Sequence, residues 1–333
     1  MIFSLPFLQT TCRLGLRAAL GALLFAHAPA AAENLTTHSL REALTATGTL
    51  RPGVQGSFST AGFELHLDAA GRPSFRPAGL RKVLGAGDAN WSTAFNGNGP
   101  DGPTSAMVID AQGNLYVGGS FTHVGSVAAN YVAKWNGTTW STLGTGLEFN
   151  VLAMVMDASG NLYVGGSFTK AGGVNATHVA RWNGTTWSAL GDGISNDVRV
   201  LATDGANNLY VGGYFDTAGS VSASNIAKWN GTTWSALGDG TNDTVQALAL
   251  DGNGNMYAAG SFTMAGGNAA AGVARWNGTA WSALGSGLAG GVGFTYARAL
   301  ALDGTGNLYV GGGFATAGGV AAKNVARWNG TTW

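Results

Sequence analysis

Between residues 91 and 333 the side chains able to do acid–base work are few: Glu148 is the only glutamate, and His123 and His178 are the only histidines. Glycoside hydrolysis needs two carboxyl groups flanking the scissile bond, and other hydrolyses need an equally convergent acid and base. No such pair recurs at comparable positions along this chain. The single cysteine, Cys12, lies in the first 32 residues, so the remainder offers no thiolate nucleophile, thiolate metal site or disulfide.

Asp110, Asp157, Asp251 and Asp303 each open an Asp-x-x-Gly-Asn run, in outline the start of a calcium loop. Such a loop needs further carboxylates and a distal glutamate, which these runs lack. A turn explains them better: the aspartate side chain accepts the backbone N–H two residues on, and the glycine takes positive φ. The expectation is a protein with no catalytic residues, no metal and no cofactor: not an enzyme.

The elements that carry these runs repeat. Asn-Leu-Tyr-Val-Gly-Gly starts at Asn114, Asn161 and Asn208, returns as Asn-Met-Tyr-Ala-Ala-Gly at Asn255, and is restored at Asn307. Trp-Asn-Gly starts at Trp135, Trp182, Trp229, Trp276 and Trp328 with the same steps of 47, 47, 47 and 52 residues. Two markers keeping one period define a tandem repeat.

Each unit holds four short segments rich in Val, Thr, Trp and Tyr. In the second they are Val151 to Met156, Asn161 to Gly166, Val179 to Trp182 and the segment from Trp187. Asn-Gly between the last two reads as a two-residue type I′ turn, which would set Trp182 opposite Thr185 and Ala180 opposite Trp187. Both tryptophans then share one face and wall one unit from the next. The Asn-Gly-Thr runs at Asn136, Asn183, Asn230, Asn277 and Asn329 match a glycosylation sequon but are read as this turn. The pairs Gly118-Gly119, Gly165-Gly166 and Gly212-Gly213, inside a strand, imply a close backbone approach.

A four-stranded antiparallel unit repeated at this period, apolar on both faces, predicts an all-β fold: a β-propeller of about five blades. The blades fall at about 104–146, 151–193, 198–240, 245–287 and 297–333. An outer strand at Asn90 to Phe95 leaves two readings open, a closed five-bladed ring or a truncated larger one. The runs quoted above, with Ala171-Gly172-Gly173-Val174 and Trp187-Ser188-Ala189-Leu190-Gly191-Asp192-Gly193, resemble repeats of secreted bacterial surface proteins of the kelch and NHL type. They are also similar to fungal cortical polarity-marker repeats, and more distantly to tachylectin-type lectins. The resemblance covers residues 91–333 and implies architecture, not activity.

Residues 1–32 carry Arg13 and Arg17, an apolar run from Ala18 to Ala26 and the small-residue end Ala28-Pro29-Ala30-Ala31-Ala32. This reads as a signal peptide, too short in its apolar part to span a bilayer. Residues 33–90 lie outside the repeat and are expected to hold a hairpin around Phe63 to Leu67. With 17 basic and 17 acidic residues the formal charge is zero, which argues against nucleic acid as a partner. The chain is expected to be an extracellular or cell-surface monomer (or a periplasmic one), with no membrane insertion after cleavage.

Sites of recognition are expected where the copies differ. The segments entering each first strand vary, among them Asn196-Asp197 and Asn242-Asp243, while the opposite turns stay constant. Just inside the first strand the equivalent positions are Ser105, Leu152, Arg199, Gln246 and Arg298. Arg199, Gln246, Arg298, Asn196, Asp197, Asn242 and Asp243 are thus the candidate ligand-binding residues. They suit a non-enzymatic scaffold for a protein partner or, alternatively, a glycan-binding lectin with repeated weak sites. An extracellular hydrolase is the third reading.

Overall fold

The computed structural model describes residues 38–39, 58–59, 63–67, 73–77 and 99–333, apart from 292 and 294. The leader at 1–32 and the outer strand at Asn90 to Phe95 lie outside the described residues. The chain divides into two compact units, Met1–Thr93 and Ala94–Trp333. In the first, Phe63–Leu67 pairs antiparallel with Pro73–Pro77, and His38–Ser39 pairs in parallel with Phe58–Ser59.

The second unit is an all-β propeller domain. Among the described residues its first four blades are four-stranded antiparallel sheets, and the fifth shows three strands, Tyr296–Leu302, Leu308–Gly313 and Val325–Trp328. The second blade is typical, with strands Val151–Met156, Leu162–Gly166, Val179–Trp182 and Trp187–Ala189 in chain order across the sheet. First strands of successive blades pack side by side, so they form the inner edge of the stack.

The Asn-Gly connection corrects the expected register. Trp182 stands directly opposite Trp187, Arg181 opposite Ser188 and Ala180 opposite Ala189. The loop therefore has four residues, 183 to 186. Gly184 takes φ +97° but Asn183 does not have positive φ, which rules out a type I′ turn. Asn183 Oδ1 instead accepts N–H bonds from Thr185 and Thr186 and the Thr185 hydroxyl, at 2.8 to 3.0 Å. The Thr-Thr pair thus rewards a wider, side-chain-closed loop over the tight hairpin. The two indoles meet at 5.2 Å between ring centres, a cross-strand aromatic pair repeated in all five blades.

These pairs join the blades. Trp187 Nε1 donates to the Leu143 carbonyl of the preceding blade at 2.7 Å, and Trp234, Trp281 and Trp333 do the same to Leu190, Leu237 and Leu284. The recurrent glycines divide in role. A Cβ on Gly165 would lie 2.3 Å from Val198 Cγ1 of the next blade, whereas one on Gly166 would lie 2.1 Å from the Asn150 carbonyl oxygen of its own sheet. The backbone approach expected from sequence therefore holds for the second glycine, while the first makes a socket for a neighbour's side chain. Gly118 with Val151 and Gly212 with Val245 repeat this socket. In the fourth blade Ala259 replaces the first glycine, and the residue at the valine position of the fifth blade is Ala297; both are buried in one cluster. The socket volume is kept by exchanging Gly and Val for Ala and Ala.

Candidate functional site

The two ends of each blade are built differently. At one end, the Asp-x-x-Gly-Asn runs close the first hairpin. Asp157 Oδ1 accepts the N–H groups of Ser159 and Asn161, and its Oδ2 accepts the Asn161 amide, all within 2.9 Å. Asp110, Asp251 and Asp303 do the same, as the turn reading expected. Asp204 joins them, although its run has Asn207 in place of glycine; Asn207 supplies the left-handed conformation at φ +60°. Burial works against ionisation of Asp110, Asp204 and Asp251, but the bonds they accept outweigh it and hold their carboxyls below the usual range. Burial first, and then the Asp204 charge, push the Tyr210 hydroxyl up to about 12.

At the other end lies the mouth. The connection from second to third strand, read from sequence as a glycine-bearing loop, contains a small hairpin of its own, Lys170–Ala171 against Val174–Asn175 in the second blade. The segment entering each first strand bridges to that hairpin: Leu147 to Ala171, Ile194 to Ala218 and Thr241 to Ala265. In the fifth blade the bridge lengthens to a strand, Leu288–Ala289 against Thr316–Ala317. The next residue clamps the hairpin through its side chain. Asp101 Oδ1 accepts the N–H groups of Thr122 and His123, Ser195 Oγ those of Asp216 and Thr217, and Asn242 Oδ1 those of Thr263 and Met264. Bonds from His123 and Thr122 lower the Asp101 carboxyl to about 2. Asn242, a candidate from sequence, thus also clamps the small hairpin.

A second device fixes the mouth. Tyr131, His178, Asn225 and Asn324 all have φ between 63° and 68°, and Gly272 occupies the same place. His178 Nδ1 lies 2.8 Å from the Ile194 carbonyl and Asn225 Nδ2 lies 2.8 Å from that of Thr241, so both side chains tie down the next blade's entrance. His178 is structural.

The variable inner-strand positions turn out to share one backbone state. The ladder between first and second strands skips a residue between Val151 and Ala153, between Val198 and Val200, and between Val245 and Ala247. Ser105 and Arg298 sit in the same skip. Each of Ser105, Leu152, Arg199, Gln246 and Arg298 is thus the extra residue of a β-bulge, a device that re-aims a side chain at the end of a sheet. Arg199 is exposed and its Nη2 lies 3.7 Å from Asp197, while the Arg298 guanidinium stacks 4.8 Å from the centre of the Tyr296 ring. Gln246 is half-buried. Asn196 Oδ1 accepts the Asp197 N–H, and Asp243 Oδ1 caps Thr244.

Sequence reasoning missed Tyr214. It is 55% exposed, and its N–H bonds the Asp197 carbonyl, which sets it beside the Asp197–Arg199 pair. Superposed copies have Ser120, Ser167 and Ser261 at that place, so the departure was available in the sequence. Phe149, 51% exposed and 6.1 Å from the Tyr131 ring, is a second aromatic group on the entering segments. The repeated tryptophans are not available in this way: Trp140, Trp182, Trp187, Trp229, Trp234 and Trp281 are buried.

One family profile, described as a domain of unknown function (DUF5122) β-propeller, matches residues 158–184, from the first rim turn to the Asn-Gly loop of the second blade. No curated protein matches. Among solved structures, the extracellular domain of a putative one component system, BT4673 from B. thetaiotaomicron, aligns at 13% identity and TM-score 0.43 over 69% of this chain. This chain spans only 28% of the length of that one. PorZ, a bacterial surface component of the type-IX secretion system of Porphyromonas gingivalis, aligns at 15% identity and TM-score 0.42 over 79% of this chain and 35% of its own. The WD40 β-propeller domain of Doa1 aligns at 13% identity and TM-score 0.42, over 64% of this chain and 63% of its own.

Proposed function

We propose that this protein is an exported, non-enzymatic propeller that holds a protein or peptide partner at its mouth, outside the cell or on its surface. The observation that carries the reading is the pair of unlike ends on like blades. One rim repeats a single aspartate turn five times, whereas the mouth sets Phe149, Tyr296 with Arg298, and Arg199 with Asp197 on bulges and entering segments, and Tyr214 just after a second strand. Exposed aromatic rings beside arginine are the groups that dominate protein recognition energetically. Export is supported by the leader-like residues 1–32, and the kelch-, NHL- and polarity-marker-like repeats fit a scaffold role. The shifted rim carboxylates are held ionised by turn bonds, a structural use and not a poised acid.

A lectin reading has one observation in its favour: Tyr214 offers an apolar ring next to paired polar groups, the pattern of a sugar subsite. It would be a single site, since the repeated tryptophans are buried or half-buried in their cross-strand pairs, and multivalent avidity within one chain would not arise.

The full chain should be screened against a displayed peptide library and a glycan array, alongside Tyr214→Ala and the double variant Arg199→Ala, Arg298→Ala. Peptide ligands weakened about tenfold or more by either variant support the mouth. Binding to glycans alone promotes the lectin reading, and ligands that bind both variants as well as the parent protein place recognition elsewhere.

A further inference from the structure

Deamidation of an asparagine needs the next backbone nitrogen as nucleophile, a stabilised oxyanion at Oδ1 and an amide nitrogen free to leave. The loop between third and fourth strands offers all of these. In the second blade its residues 183–186 are exposed. Asn183 Oδ1 accepts the N–H groups of Thr185 and Thr186 and the Thr185 hydroxyl at 2.8 to 3.0 Å. Donors gathered at this distance on an acyl oxygen are the arrangement that stabilises the tetrahedral state of acyl transfer. Asn183 Nδ2 and the Gly184 N–H make no hydrogen bond among the described residues, and glycine sets no side chain beside the attacking nitrogen. Asn136, Asn230, Asn277 and Asn329 accept the same three bonds from the residues two and three positions on. Asn253-Gly254, in the rim turn of the fourth blade, is the same dipeptide, also exposed, without the arrangement. The Asn253 N–H bonds Asp251, but no described residue donates to its side chain.

We propose that the five Asn-Gly-Thr loops are self-modification sites, at which the folded loop promotes conversion of its asparagine to aspartate. The Gly184 nitrogen gives its proton to solvent and attacks Asn183 Cγ, an intramolecular step favoured by proximity. The new N–Cγ bond closes a succinimide, the Cγ–Nδ2 bond breaks, and the nitrogen leaves as ammonia. Water then opens the ring. Attack at Cγ yields aspartate in an unaltered main chain, and attack at the main-chain carbonyl yields isoaspartate; either way one water is consumed and one ammonia released. The donors on the Cγ oxygen favour the first course, and the resulting carboxylate accepts the same bonds with a full charge, which strengthens them. Each conversion adds one negative charge. The sequence has a formal net charge of 0, where copies repel one another least, so one conversion in each of five loops takes it to −5 and away from self-association.

The test is to hold the freshly purified full chain in mildly alkaline buffer, folded and in concentrated urea, and to follow each asparagine by mass spectrometry of tryptic peptides. Fragmentation that separates aspartate from isoaspartate gives a rate and a product ratio for every loop and for Asn253. Thr185→Val removes one donor from one loop and keeps the side-chain shape; Thr232→Val does the same in the third blade, and circular dichroism matching the parent establishes that each is folded. In the folded chain the loop asparagines should convert about tenfold or more faster than Asn253, with aspartate in excess of isoaspartate, and in urea the rates should draw level. Thr185→Val should slow conversion at Asn183 severalfold and leave Asn136 and Asn277 at the parent rate. Loops that convert no faster than Asn253, or that convert faster once unfolded, overturn the proposal. So does conversion at Asn183 that Thr185→Val leaves unchanged.

Discussion

The two ends of each blade share the same four strands and differ in what closes them. At the aspartate rim, Asp110, Asp157, Asp204, Asp251 and Asp303 each take their turn-closing bonds from within four residues, and Asp204 adds the Tyr210 hydroxyl six residues on, so each turn is closed locally. At the mouth, closure is made between segments about twenty residues apart, by Asp101, Ser195 and Asn242 on the small hairpins and by His178 and Asn225 on the next entrance. The rim needs one local sequence and repeats it. The mouth needs only one donor or acceptor per segment and leaves the flanking positions open, which is where Phe149, Asp197, Arg199 and Tyr214 stand. Variation is tolerated where closure is long-range and sparse.

The contrast between an invariant frame and an open mouth breaks most clearly at the socket. Gly165→Ala sets a Cβ against Val198 and should cost about 1–3 kcal/mol in denaturant unfolding. Adding Val198→Ala reproduces the combination at Ala259 and Ala297, and the double variant should cost less than the sum of its parts. Strict additivity would refute the socket. Asp157→Ala strips an acceptor from three bonds at a buried carboxylate and should cost about 2 kcal/mol, while Asn196→Ala at the mouth should change stability by less than about 0.5 kcal/mol.

Acid should act on the rim before it acts on the fold as a whole. Asp110, Asp204 and Asp251 have carboxyls lowered in the folded state, so their contribution is complete above the ordinary carboxylate value, near pH 4. It is lost as the pH falls through their lowered values. Unfolding temperature should be insensitive to these groups from pH 7 to about 5 and should fall below about 4, and Asp204→Asn should lessen that fall. At the boundary of the two regions, His178→Asn keeps a donor for the Ile194 carbonyl, as Asn225 has for Thr241. It relieves a left-handed histidine and should gain about 0.5–1 kcal/mol. The smallest effect belongs to Tyr214→Ser, which restores the residue of three other copies and should leave unfolding unchanged while removing partner binding.

The period, the four strands and the all-β class were legible because the turn residues recur with fixed spacing. The aspartate turns were legible for the same reason, except at Asp204, where Asn207 does the work of glycine. The register of the outer hairpin was misjudged at Asn183 because the preference of Asn-Gly for a tight turn was outweighed by hydroxyl and amide donors from Thr185 and Thr186. The hairpin inside the second connection was hidden by its length, two residues a side, though Ala171-Gly172-Gly173-Val174 is a turn between apolar residues. Among the candidate site residues, Arg199, Gln246 and Arg298 were singled out for their variability, but that they share a bulge depends on pairing with the second strand and is not written in the first. At Asn242 a clamp and a ligand contact call for the same side chain, so the sequence alone does not separate them.

That bulge gives the molecule a set of positions detached from its own folding code. A residue outside the ladder owes nothing to strand register and little to packing, so changes at 105, 152, 199, 246 and 298 can be made one at a time without a compensating change elsewhere. The five positions behave as separate letters on a fixed frame. A library randomised there should retain the fold in most of its members, and new specificities would be reached by spelling and not by rebuilding.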